Sequence, residues 1–241
     1  MHDKIKVLVL GDSGVGKSSL VHLICHSEAI RSTQWTIGCS VDINMHQYKE
    51  GTVNQKTCFI ELWDVGGSRS HGIARKIFFH SFHGIILVQD ITNSKSELNL
   101  KNWLGQALSD NHNDKERSNI NSATISQALF PVTNEEEFEY DAESFIGLDV
   151  PILIVATKQD LASDNITPKN RLVDLLNSEL ITVNCRNSKS LAPGTTNSVK
   201  LSRFFDKVCD KKFHSQRLNH PDSKHVFQRQ QTSYSVYKSN R

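Results

Sequence analysis

Gly11 to Ser18 read GDSGVGKS, placing three glycines, a lysine and a serine at fixed spacing behind the apolar run KIKVLVL. Glycines at 11, 14 and 16 let backbone N–H groups converge on phosphate oxygens with no side chain in the way. A helix opening at Lys17 would add the positive end of its dipole. The expected nucleotide contacts are Ser13, Gly14, Val15, Gly16, Lys17, Ser18 and Ser19. Lys17 brings a point charge to the outer phosphates, and Ser18 offers a hydroxyl to magnesium, a hard cation that takes oxygen ligands. The plain alternative is a glycine-rich turn.

Two further patterns share this chemistry. ELWDVGGSRS ends a buried strand, so Asp64 would stand at the strand's carboxyl end, where a carboxylate holds magnesium and the Gly67 N–H senses a terminal phosphate. Alone, Asp64 reads equally as a turn residue; its distance from Lys17 makes the pairing specific. ATKQD also follows an apolar run, and the Asp160 carboxylate can accept two hydrogen bonds from the N1–H and exocyclic amine of guanine, a donor pair that adenine lacks. Lys158 would lay its aliphatic stem along the base. The alternative for Asp160 is a helix cap.

These residues need a scaffold that collects strand ends. Apolar runs alternate with helical ones: KIKVLVL, GKSSLVHLICHS, VDINMHQY, KTCFIELW after the turn KEGTVNQ, GIILVQDI, SELNLKNWLGQAL, VPILIVAT, LITVN and SVKLSRFFDKVCDKKF. Strands alternating with helices predict a mostly parallel sheet covered on both faces, and the strand pair around KEGTVNQ predicts one antiparallel edge. Thr167 and Pro168 predict a helix start as cap and first-turn residue. In RKIFFHSF, Ile77 and Phe78 are expected to pack inward, with Phe79 left open.

The chain has 241 residues, 37% apolar and 22% charged with a formal net charge of +2, enough for one domain with appendages. Regularity fails at about 109–149, a polar then acidic stretch in which Glu135, Glu136, Glu137, Glu139, Asp141, Glu143 and Asp149 face no Lys or Arg after Pro131. It reads as a looped insertion in a domain spanning 1–213, with an acidic docking site as the alternative. The remaining 214–241 reads as a solvated basic tail; from Lys211 onward, seven Lys or Arg stand against Asp222 alone. Its aromatics do not interleave with its charges, so nucleic acid is not an expected partner. Five scattered cysteines read as reduced thiols, and no apolar run reaches membrane-spanning length, so the expected location is the cytoplasm. His2 excludes myristoylation and the C-terminal YKSNR lacks a prenylation cysteine, so no stable membrane anchor is expected.

GDSGVGKS, TIG at Thr36 to Gly38, WDVGG and TKQD, in this order, resemble the small GTPases of the Ras superfamily, nearest the Rab branch. The resemblance implies an α/β, P-loop small-GTPase fold with a six-stranded sheet, GTP or GDP as bound nucleotide, magnesium, and effector or regulatory proteins as partners. A homodimer is left open. By the same resemblance Thr36 closes on magnesium and the terminal phosphate. Ser18, Thr36 and Asp64 form the metal set, and Lys17, Thr36 and Gly67 are the catalytic residues. Thr157 replaces the family's usual asparagine. NCRN at Asn184 to Asn187 stands where a backbone N–H reaches the guanine oxygen, which brings in Cys185 and Arg186.

Two departures bear on turnover. Ser68 occupies the position of the glutamine that orients the attacking water, and its hydroxyl is too short to span the same gap, so hydrolysis is expected to be slow unless Arg69 or a partner's arginine rescues it. Ala29 stands where relatives carry an aromatic ring across the base, which predicts fast nucleotide exchange. The rival readings are a scaffold in which the nucleotide is structural and a P-loop kinase, the latter lacking an acceptor base beside TKQD.

Overall fold

The computed structural model of the chain describes residues 4–32, 34–68, 72–116, 145, 147–162 and 170–219. Strand β1 (Lys4–Leu10) runs into helix α1 (Lys17–His26), followed by β2 (Cys39–Tyr48), β3 (Lys56–Val65), a short α2 (Gly72–Arg75) and a 3-10 turn at Lys76–Phe78. Then come β4 (Gly84–Asp90), α3 (Ser94–Leu98), α4 (Leu100–Glu116), β5 (Ile152–Thr157), α5 (Arg171–Leu175), β6 (Glu179–Thr182) and α6 (Thr196–Asn219). The six strands lie in the order β2-β3-β1-β4-β5-β6. All neighbours are parallel except β2 and β3, so the expected sheet with one antiparallel edge is the one observed.

Strand alternation explains the layers. Val7, Val9, Ile86 and Val88 face one side with Leu20, Leu23, Phe204, Phe205 and Val208 of α1 and α6. Leu8, Leu10, Ile85 and Leu87 face the other with Leu100, Trp103, Leu104 and Leu172 of α4 and α5. Parallel strands covered on both faces read as continuous apolar runs, and every residue of β4 is buried. Helix α6 is further clasped to the antiparallel edge: His46 Nε2 lies 2.9 Å from Asp206 Oδ1, and the Tyr48 hydroxyl donates to Asp210.

Some boundaries differ from the sequence pattern. Helix α4 runs to Glu116, inside the expected insertion, and α6 runs to Asn219, past the expected domain end. Neither extension contains glycine or proline. Propagating a helix gains a hydrogen bond per residue whether or not an apolar face continues. Residues 117–144 of the insertion and 220–241 of the tail lie outside the described residues. So do Thr167 and Pro168; the helix described there starts at Arg171, capped by Asn170, whose side chain accepts from the Leu172 N–H at 2.8 Å. The 3-10 turn overturns the expected packing at Ile77, which is 67% exposed; Phe78 is partly buried against the core as expected, and Phe79, left open, is fully buried in the cluster that includes α4. A three-residue turn rotates the chain by more per residue than an α-helix, which carries Ile77 outward and brings Phe79 in.

Candidate nucleotide-binding site

The sheet's strand order reverses at β1, and the loop following β1 opens α1, which places Gly11 to Ser18 at the carboxyl edge where ligands of such sheets bind. Register brings the other predicted residues there: Val9 pairs with Asp64, and Asp90 with Thr157. Gly16 caps α1 at φ 98°, in the left-handed region that favours glycine. A Cβ on Gly11 would stand 2.2 Å from the Val88 carbonyl oxygen, so β1 and β4 approach too closely there for any side chain. Ser13 and Gly14 are exposed at the loop's rim, Val15 is buried, and Ser18 and Ser19 are partly buried. Lys17 is buried, and its Nζ donates to the Gly11 and Asp12 carbonyls at 2.9 Å each. Burial lowers its pKa, opposed by the Asp64 and Asp12 carboxylates.

The three predicted metal residues meet. Asp64 Oδ2 accepts from Ser18 Oγ at 2.5 Å and from Thr36 Oγ1 at 3.1 Å, and the two hydroxyl oxygens are 3.0 Å apart. Asp64 is 2% exposed and its Oδ1 has no hydrogen-bond partner among the described residues. Burial raises its pKa, and the Ser18 hydroxyl and the Lys17 ammonium only partly counter this. The two glycines after Val65 account for the close approach of three segments. The Gly66 N–H donates to the Gly38 carbonyl at 2.8 Å, and a Cβ on Gly66 would stand 2.6 Å from the Thr36 carbonyl oxygen. A Cβ on Gly67 would stand 2.5 Å from the Ser13 nitrogen and 2.7 Å from the Gly11 carbonyl oxygen, so Gly67 rests directly on the phosphate loop.

On the base side, Thr157 is buried and its hydroxyl donates to the Val15 carbonyl, with the Gln89 carbonyl 3.0 Å away. It therefore ties the phosphate loop to β5. Lys158, in the left-handed region at φ 59°, extends its ammonium to Asp90 Oδ2 at 2.6 Å. Burial alone would raise the Asp90 pKa, but hydrogen bonds from Lys158 and Thr92 hold it below the usual carboxylate range. Asp160 meets the Arg186 guanidinium at 3.9 Å. Burial, with the Asp160 charge adding, pushes the Cys185 thiol up to about 12, so it is a neutral neighbour rather than a nucleophile. The Arg186 N–H donates to Asn184 Oδ1 at 2.9 Å, so in this arrangement it is engaged away from any base. Ala29 is partly buried, and Trp35, the next aromatic residue, is 87% exposed.

Several residues join the site that motif reasoning passed over. Asp12 accepts from the Trp103 indole N–H and the Asn99 amide, each at 2.8 Å, which pins the phosphate loop to α4 and the residue preceding it. Arg75 is buried with its guanidinium 4.5 Å from the Trp103 ring centre, and its Nη2 donates to the Ser68 carbonyl at 2.9 Å. Asp12, Trp103, Arg75 and Ser68 thus link the phosphate loop to the segment after Gly67. The only sequence signals were an acidic residue inside the loop and an arginine beside an apolar run, neither of which names its partner. Arg69 lies outside the described residues.

The family model described as Ras of Complex, Roc, domain of DAPkinase matches residues 6–123. Rab-like protein 3 of Bos taurus is 45% identical over 220 residues, covering 88% of this chain and 86% of that protein. The Homo sapiens protein of the same name is 44% identical with the same coverage. The chain belongs to the Rab-like small GTPases of the Ras superfamily. Small GTPase-like protein LIP2 of Arabidopsis thaliana is a more distant match, 31% identical over 66% of this chain and 44% of its own length. A Rab-like small GTPase binds GTP and GDP, typically with magnesium. The site suits that ion: its donors are two hydroxyls and a carboxylate, and the buried, unpartnered Asp64 Oδ1 leaves a negative charge short of a counter-charge. No helix among the described residues is long and apolar enough to cross a membrane.

Proposed function

We propose that this protein is a guanine-nucleotide-dependent regulatory switch with slow GTP hydrolysis and fast nucleotide exchange. The observation that carries the reading is the convergence of three segments on one point. Ser18 of the phosphate loop, Thr36 and Asp64 share hydrogen bonds, while Gly67 rests on the loop backbone. A terminal phosphate and magnesium would enter where these segments touch, so its presence or loss biases both flanking segments.

Ser18, Thr36 and Asp64 would hold magnesium in this reading, and its positive charge is what it would supply beside the outer phosphates. Lys17 turns from its loop carbonyls to the outer phosphates, the loop N–H groups cradle them, and the Gly67 N–H donates to the terminal one. Asp160 accepts from guanine, and Lys158, stretched to Asp90, lies along the base. Water positioning is the missing part. Arg75 fixes the Ser68 carbonyl, and the Ser68 hydroxyl is too short to reach a water that a glutamine would hold. Ala29 and the outward Trp35 leave one side of the base uncovered, which favours release.

Partner recognition follows from what lies beside Thr36. Trp35 and Ile37 are 87% and 82% exposed, and Val41, Ile43 and Met45 line one face of the edge strand β2. Ordering Thr36 on a terminal phosphate reshapes one end of this apolar strip, so effector or regulatory proteins would distinguish the two nucleotide states. Two assays test the proposal. Partner capture from cytoplasmic extract should differ between the GDP-loaded protein and one loaded with a nonhydrolysable GTP analogue; equal capture favours the reading in which nucleotide is only structural. Ser68→Gln should raise the single-turnover hydrolysis rate by about tenfold or more, and an unchanged rate removes Ser68 as the limiting position.

A further inference from the structure

Two contacts that would read the outer edge of a guanine are diverted in this chain. The Thr157 side chain has one hydroxyl proton, and it is spent on the buried Val15 carbonyl. The Arg186 N–H is spent on Asn184 Oδ1 at 2.9 Å. Asp160, accepting only, can satisfy the N1–H and the exocyclic amine but can donate nothing to the O6 and N7 acceptors. Of the two backbone donors expected near O6 only the Cys185 N–H then remains, and N7 receives nothing from Thr157.

A donor of the right shape stands beside Asp160. The Arg186 guanidinium is 3.9 Å from Asp160 Oδ2, its side chain is 81% exposed, and among the described residues no closer hydrogen bond holds it. A long, exposed ion pair contributes little, so the guanidinium is free to leave it at small cost. Its planar fork donates two parallel hydrogen bonds, and the O6 and N7 atoms of guanine accept such a pair. Adenine presents an amine donor in place of O6 and would repel the fork.

We propose that the Arg186 side chain reads the O6 and N7 edge of the bound guanine and sets base specificity jointly with Asp160. The Arg186 guanidinium thus stands in for its own N–H, engaged by Asn184, and for the Thr157 hydroxyl, engaged by Val15. The proposal rests on the guanine-nucleotide reading of the site and adds to it the residue that reads the outer edge.

Equilibrium binding of GDP, 7-deaza-GDP and IDP to the full chain separates the two. The 7-deaza analogue lacks the N7 acceptor, and IDP lacks the exocyclic amine that Asp160 reads. The native protein should bind 7-deaza-GDP about tenfold more weakly than GDP. Arg186→Ala should lose about tenfold in GDP affinity and abolish the 7-deaza penalty while keeping the IDP penalty, and Arg186→Lys should recover only part of the loss. A melting curve on each variant confirms folding, which an exposed side chain should not disturb. Arg186→Ala with native GDP affinity, or with the 7-deaza penalty intact, overturns the proposal. Native protein that does not bind GDP, or that binds GDP and IDP equally, overturns the underlying base-reading assignment and the proposal with it.

Discussion

Gly67→Ala tests the contact between the phosphate loop and the segment after β3. An added Cβ would meet the Ser13 nitrogen at 2.5 Å, the Asp12 carbonyl carbon at 2.6 Å and the Gly11 carbonyl oxygen at 2.7 Å. All three are backbone atoms of a loop fixed by the Lys17 ammonium, the Asp12 contacts and the Thr157 hydroxyl, so none can turn aside as a flexible side chain would. Each approach is short of ordinary carbon contact by about 1 Å, and forcing one methyl into packed backbone costs about 1–3 kcal/mol. That cost falls only on the state in which Gly67 is seated, and at 1.4 kcal/mol per tenfold it lowers affinity for a nonhydrolysable GTP analogue by about 5- to 150-fold. GDP, which has no terminal phosphate for Gly67 to meet, should bind as before. Titration of both fluorescent nucleotides against the native and variant proteins measures the two affinities. Gly51→Ala is the control: Gly51 lies in the left-handed region, unlike Gly67, so an alanine there is strained, but its Cβ would meet nothing within 4 Å. Equal loss for GDP and the GTP analogue, or no loss for either, refutes the argument that Gly67 responds to the terminal phosphate.

Two further outcomes follow from buried groups. Thr157→Val keeps the shape but strips the donor from the Val15 carbonyl, so it should cost about 1–3 kcal/mol in denaturant unfolding and weaken nucleotide binding by loosening the loop; an unchanged midpoint and affinity would remove the tie from the account. His83 accepts the Lys6 N–H at 3.1 Å on Nδ1, and burial, with Lys212 adding, pushes its pKa from 6.5 down to about 4. The unfolded chain therefore binds a proton between those values while the folded one does not, so stability is full above 6.5, falls as pH drops toward 4 and levels off below it. The loss is about 1–2 kcal/mol after discounting for solvent screening, and His83→Gln should flatten that part of the stability profile.

Fixed spacing made the phosphate loop legible, because GDSGVGKS between a strand and a helix leaves its residues one place to be. The sheet was legible for a related reason: continuous apolar runs such as GIILVQDI, short, rich in branched residues and alternating with helical stretches, fit strands buried on both faces. Ser18 and Asp64 were found from their spacing to Lys17, and Thr36 from the resemblance to the small GTPases; the structure brings the three within hydrogen-bonding range. What was not legible depends on partners far along the chain. Asp12 and Trp103 are 91 residues apart, and no local period records that an indole N–H ends on that carboxylate. The Thr157 bond to Val15 is of the same kind, and it changes the reading of Thr157 from a weakened base contact to a loop tether. Ile77 was expected inward and is exposed, while Phe79, left open, is buried, because a single 3-10 turn resets the phase of an apolar cluster too short to establish its own period.

Hydrogen exchange of the intact protein, loaded with magnesium and either GDP or a nonhydrolysable GTP analogue, tests the switch claim most directly. The account predicts slower exchange at the amides of Thr36 to Gly38 and of Gly66 to Ser68 with the GTP analogue, while the β1 and β4 amides exchange alike in both states. Identical protection of those two segments in both nucleotide states would contradict it.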